Sequence, residues 1–214
     1  MKISPEEVGY WYLRLNGFLT IPNMVLHPDE GGNQKTDIDV IGVRFPYRSE
    51  LFNNPMIDDV YFSSITDKPL VIIAEIKSGR CEINNSILQP DKKNIQRLLR
   101  AIGVFPLEIV DDVANEIYRT GGYNSEFYRI AICCLGDYSN DRIATDLPKA
   151  KQIFWDESIL PFIYNRFSEY RSRKGDHDQW EITGKILWNA SVESRTVGEY
   201  IALIKNLWKI SNNI

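Results

Sequence analysis

The chain has 214 residues, 43% apolar and 25% charged, which suits a soluble globular protein with a sizeable core. Its formal net charge of −4 argues against a protein that coats nucleic acid through a broad basic surface, but not against an enzyme that meets nucleic acid in one local groove. Cys81, Cys133 and Cys134 lack metal-type spacing, so neither a disulfide framework nor a cysteine zinc site is expected, and Cys133 and Cys134, in "RIAICCLG", read as buried thiols. The first residues carry no apolar signal core and no stretch nears the ~18 apolar residues of a membrane span, which sets the expectation of a cytoplasmic protein with no membrane contact.

In chain order, Ser4-Pro5-Glu6-Glu7 is a helix start, with Ser as cap, Pro at the first position and acids in the first turn. The helix runs toward Gly17. "FLTIPNMVLH" reads as an edge strand broken by Pro22, and "TDIDVIGVRF" as a second strand. A long loop with one short element follows. "LVIIAEIKS" is the plainest strand in the chain, followed by the loop "GRCEINNSILQPD". "KKNIQRLLRAIG" is helical, with Asp91 as the expected cap and Gly103 as the stop. A second helix over "PLEIVDDVANEIYRTG", a buried strand over "FYRIAICCLG", a short edge strand at "QIFWDE" and a helix over "ESILPFIYNRFSEYRSR", either interrupted by Pro161 or beginning near it, come next. "QWEITGKILWNAS" fits either strand or helix, and "VGEYIALIKNLWKIS" closes as an amphipathic helix. The order predicts an α/β fold, a mixed central sheet flanked by helices, in a single domain over 1–214: a core of about 4–137 and a C-terminal helical and strand extension of about 138–214.

One strand poses an energetic problem. Glu75 and Lys77 sit in an apolar run, and burying a carboxylate or an ammonium is costly unless it is paired or holds a metal. Residues i and i+2 of a strand share a face, so Glu75 and Lys77 project together, as do Asp37 and Asp39 on the preceding strand. Sequential strands are often neighbours, which would bring a carboxylate from each to one place. With the main-chain carbonyl of Ile76 they form an oxygen-rich set of the kind hard divalent cations accept. Lys77 would orient a water and help deprotonate it, or offset charge on a phosphate. Glu7 or Glu6, on the first helix, would complete the ring. Asp37 also reads as a residue at the start of its strand.

This arrangement resembles the PD-(D/E)xK nuclease superfamily, which includes restriction-endonuclease-like enzymes and Holliday-junction resolvases. The resemblance rests on an acid on the first helix (Glu7 or Glu6), Asp39 in "TDIDVIGV", and Glu75-Ile76-Lys77, and covers about residues 4 to 105. Ile38 stands where the pattern has proline, and the long interval from Asp39 to Glu75 requires an insertion between the strands. The resemblance implies a restriction-endonuclease-like core and Mg²⁺-dependent, sometimes Mn²⁺-dependent, phosphodiester cleavage, in DNA ahead of RNA. It implies Asp39, Glu75, Lys77 and Glu7 as catalytic residues, with Asp39, Glu75 and the Ile76 carbonyl on the metal.

Gln96, Lys35, Arg80 and Arg97 are candidate nucleic-acid contacts, and Lys92, Lys93, Arg100 and Gln34 lie near enough to join them; for each, a solvated surface is the plain alternative. His27 and His177 have no partner motif, and no phosphate-cradling or nucleophile-elbow motif occurs. Two further readings stand beside the nuclease: a catalytically inactive module of the same fold that binds a protein partner, and a nuclease effector of a host-defence or repair system gated by a partner. Homodimerisation fits either.

Overall fold

The computed structural model describes residues 2–31, 36–65, 67–173 and 178–209. Helix α1 (Pro5–Leu15) starts in a capping box: the Ser4 hydroxyl accepts from the Glu7 N–H, and the Glu7 carboxylate accepts from the Ser4 N–H at 2.7 Å. Strands β1 (Leu19–Leu26), β2 (Thr36–Arg44) and β3 (Leu70–Ile76) then form an antiparallel meander. The short helix α2 (Val60–Ser63) lies between β2 and β3. From β3 the chain crosses over through α3 (Asn94–Ile102) and α4 (Val110–Thr120) to β5 (Arg129–Gly136), which pairs parallel to β3. The short β4 (Gly122–Asn124) pairs with the first half of β5. After α5 (Asp141–Asp146), β6 (Lys151–Phe154) pairs parallel with its second half. Three helices end the described chain: α6 (Leu160–Glu169), α7 (Ile182–Glu193) and α8 (Val197–Lys209).

The protein is therefore an α/β fold with a mixed six-stranded sheet, as the element order predicts. Helices cover both faces. Leu70, Ile72, Ala74 and Ile76 of β3 pack into a cluster with α1, α6, α7 and α8, while Val71 and Ile73 pack into a second cluster with α3 and α4. Every residue of β3 is buried, which is why its sequence is apolar on both faces and why Glu75 stands out in it. The segment after residue 138 joins this framework through β6 and through α6 and α7, which both touch α1.

Several boundaries differ from the sequence reading. Asp91 does not cap α3; it lies in a 3₁₀ turn (Pro90–Lys92), and the residue before the helix is Lys93, with a left-handed backbone at φ 53°. The segment that fits strand or helix is helix α7, whose Gly184 lets it close on α1: a Cβ there would collide with the Trp11 ring. β4 and α5 are too short to leave a periodic signal. Among the described residues no helix is long and apolar enough to cross a membrane.

The long loop between β2 and α2 is fixed by charge. The Asp58 carboxylate accepts from Arg44 at 2.7 Å, Arg48 at 2.6 Å and Arg166 of α6 at 2.9 Å, and Glu50 adds a second acid against Arg48. Arg44, Arg166 and Asp58 are nearly closed to solvent, so this cluster holds the loop to both α6 and the end of β2.

The β2 pleat is irregular at Asp39. Ile38 and Ile41, three residues apart, would face opposite ways on a regular strand, yet both pack on the α3–α4 side, while Val40 packs on the other. Across from Asp39, between the Pro22–Val40 and Met24–Ile38 pairs, Asn23 adopts φ 51°. The two strands turn together at this point.

Candidate active site

The β2–β3 ladder runs from Arg44–Leu70 to Val40–Ala74 and stops. Beyond it, Asp39 replaces ladder bonds with its side chain. The Lys77 N–H bonds to the Leu135 carbonyl of β5 at 2.9 Å, so alternation along the strand turns the N–H and carbonyl of Ile76 toward β2. That N–H donates to Asp39 Oδ2 at 2.6 Å, and the Ile76 carbonyl lies along the same edge.

Lys77 Nζ lies 3.3 Å from Asp39 Oδ2 and 3.3 Å from Glu75 Oε2. Two acids and a lysine, separated by up to 38 positions in sequence, thus form one cluster past the end of the ladder. Glu75 is 2% exposed, whereas the Asp39 and Lys77 side chains are 19% and 35% exposed, so the cluster is open on one side and sealed behind. Glu75 Oε2 also accepts from the Asn84 N–H at 3.3 Å; Glu75 Oε1 is buried with no hydrogen-bond partner.

Burial dominates the electrostatics of Glu75. It pushes the carboxyl up to about 7, against the downward pull of Lys77, and the Asp39 charge adds to the rise. Burial acts in the opposite sense on Lys77 and lowers it, but Glu75 and Asp39 together outweigh that, and its pKa ends raised. Lys77 therefore stands protonated between Asp39 and Glu75.

A polar scaffold supports the buried side. Asn84 Nδ2 donates to Thr36 Oγ1 at 3.0 Å, Ser86 Oγ bonds Thr36 Oγ1 at 2.6 Å, and Asn94, the first residue of α3, donates to the Ser86 carbonyl at 2.8 Å. On the opposite face Trp155 Nε1 donates to the Lys77 carbonyl at 2.8 Å, and the Trp155 ring meets Trp208 of α8 edge-on at 4.9 Å. These supports escape a motif search. The "NNS" of the loop is a turn signal, realised when the Ser86 N–H bonds Asn84 Oδ1, but nothing local marks Thr36 or Trp155.

Among the described residues the other sequence candidates make no hydrogen bond or ion pair with Asp39, Glu75 or Lys77. The Glu7 carboxylate is engaged by the Ser4 N–H. Glu6 is half-buried, one helical turn before Gly9, whose missing Cβ would lie 2.7 Å from Ile76 Cδ1. Among the described residues no third His, Cys, Asp or Glu completes a metal-binding group with Asp39 and Glu75. Asp37 is exposed and has no side-chain bond to the cluster among the described residues. Arg80 pairs with Glu82 at 2.8 Å beside a groove of about 850 Å³ that also contains Asp141 and Asp146. Gln96 Oε1 accepts from the Tyr118 hydroxyl at 2.9 Å, and Arg97 pairs with Asp29 at 2.7 Å. Lys35, with Gln34 and His177, lies outside the described residues.

Comparison with protein-family models, curated proteins and solved structures yields no match.

Proposed function

We propose that the protein is a metal-dependent nuclease with a restriction-endonuclease-like core, acting on DNA ahead of RNA, and that Asp39, Glu75 and Lys77 form its active site. The observation that supports this reading best is the cluster itself: an acid from β2 and the E-x-K end of the central strand meet where the ladder ends, and one oxygen of the buried acid has no partner. A buried carboxylate oxygen without a partner is costly, and such costs concentrate at functional sites.

The donor set fits a hard cation. The Asp39 carboxylate, Glu75 Oε1 and the Ile76 carbonyl are all oxygens, the ligands Mg²⁺ and Mn²⁺ take, and two carboxylates with retained waters suffice for Mg²⁺. When bound, the ion supplies Lewis-acid polarisation of the phosphate and lowers the cost of deprotonating water. Lys77 holds its proton, so it serves as donor and counter-charge to the phosphate or the attacking water rather than as the base. Asn84 and Trp155 fix the two strands' ends so that this geometry is held before substrate arrives.

The test is incubation of the purified protein with plasmid, linear DNA and RNA in Mg²⁺, Mn²⁺ or EDTA. Metal-dependent cleavage that E75Q abolishes is the expected result. No cleavage of any substrate, with no heat of Mg²⁺ or Mn²⁺ binding in calorimetry, would leave the second reading, a partner-binding module of the same fold. That reading draws on Leu19 and Ile21, exposed along the edge strand β1.

A further inference from the structure

A second groove, of about 490 Å³, runs between the end of β1 and helix α3. Its helical wall presents Lys93, Arg97 and Arg100, at spacings of four and three, which places three cations in a row on one helix face. The row spans about 10 Å along the axis. Like charges so spaced weaken a helix, and the groove offsets them only partly. Two carboxylates line the groove: Asp29 takes Arg97, and Asp111 forms no ion pair with Lys93 or Arg100, which have no carboxylate within ion-pair distance among the described residues. Arg97 Nε is buried with no hydrogen-bond partner, while Nη1 of the same guanidinium donates to Asp29. Lys93 holds a left-handed backbone at φ 53°, where an L-residue is strained and glycine would fit better.

The groove is tied to the proposed active site. Met24–Leu26, on its β1 side, pair with Thr36–Ile38, just before Asp39. Asn94, next to Lys93, bonds Ser86, which reaches Glu75 through Thr36 and Asn84. The cationic row thus begins at the sheet end that carries the cluster and leads away from it.

We propose that Lys93, Arg97 and Arg100 bind the phosphodiester backbone of a nucleic-acid strand and hold the phosphates that flank the one at Asp39, Glu75 and Lys77. The second half of this statement rests on the nuclease reading; the first does not. The chain's −4 charge confines such contact to a local track of this kind.

The test is fluorescence anisotropy in EDTA, with fluorescein-labelled single-stranded and duplex 20-mers of matched sequence, over a salt series. Wild type should bind at least one of them, and the arm that binds more tightly identifies the form. The K93Q/R97Q/R100Q variant should bind at least tenfold more weakly, with a log-affinity against log-salt slope shallower by about 2 for a single strand. K93Q/R100Q spares the Arg97–Asp29 pair and should show an intermediate loss with an unchanged circular dichroism spectrum. R195Q, on the other side of the sheet, should bind as wild type. Wild-type binding by a folded K93Q/R100Q variant, or no binding of either oligonucleotide by wild type, would overturn the proposal. Hydrolysis of bis(4-nitrophenyl) phosphate with Mn²⁺ tests the cluster separately, because that substrate has no flanking phosphates. Binding without hydrolysis sinks the nuclease reading alone, and hydrolysis with groove-independent binding sinks the groove alone.

Discussion

Lys77 satisfies one oxygen of Glu75 and leaves the other bare: Nζ lies 3.3 Å from Oε2, and Oε1 is buried without a partner. An ion pair formed for stability would have closed both oxygens or stood in water, where pairs cost little and contribute little.

Glu75 should make the metal-free protein less stable as pH rises. Its carboxyl sits at about 7 in the fold against an ordinary 4.5, so the folded state holds an extra proton between those values. The stability from this group is whole below about pH 4.5 and lost as pH rises through about 7, a change of about 3 kcal/mol. Urea unfolding of wild type and E75Q in EDTA from pH 4 to 8 should show wild type falling relative to E75Q by that order. Parallel curves would mean that Glu75 is not held protonated.

Substitution within the cluster should cost function more than fold. D39N, E75Q and K77A should each lower cleavage by about 10³-fold, typical of lost electrostatic or proton-transfer groups, with little change in circular dichroism. K77A with full activity would remove the lysine from the mechanism.

Trp155→Phe deletes the hydrogen bond from Nε1 to the Lys77 carbonyl and also replaces a fully buried indole by a smaller ring, leaving a cavity. A stability loss of about 2–3 kcal/mol is expected from the two effects together, accompanied by slower cleavage because the end of β3 is less firmly held. A stability loss with an unchanged cleavage rate would make Trp155 a packing residue only.

Asp58→Asn should be among the most damaging single changes in the chain. It leaves Arg44 buried without its counter-charge and Arg166 with only Glu50, at 3.8 Å, and breaking a buried pair in this way costs about 3–5 kcal/mol. Denaturant titration at pH 7 measures it; a loss below about 1 kcal/mol would mean that Glu50 alone can hold the loop.

Much of the framework was legible because local chemistry and burial agree there. Ser4 and Pro5 announce α1, and the apolar run of β3 follows from burial on both faces. The meeting of Asp39 with Glu75 and Lys77 was legible from strand parity plus the tendency of sequential strands to pair. Parity alone misleads at Asp37, since the pleat turns at Asp39 and no residue-type signal marks a turn shared between two strands. Asp91 looked like the cap of α3 because acids favour that place, but the 3₁₀ turn carries the chain past it. Thr36, Asn84 and Trp155 support the cluster from distant positions, and such contacts exist only once the sheet is built.

The turn at Asn23 has an effect beyond aiming Asp39. β1 is the outer strand of the sheet, and Leu19 and Ile21 lie exposed along it, the pattern that invites another chain to add on. Pro22 has no N–H to offer such a chain, and the left-handed Asn23 beside it bends the strand midway. A straight, continuous template for intermolecular pairing is thereby cut into two short halves. The backbone irregularity that stands opposite Asp39 shortens that template, so regularising it, for example with P22V/N23T, should lower solubility and disturb the Asp39 cluster together.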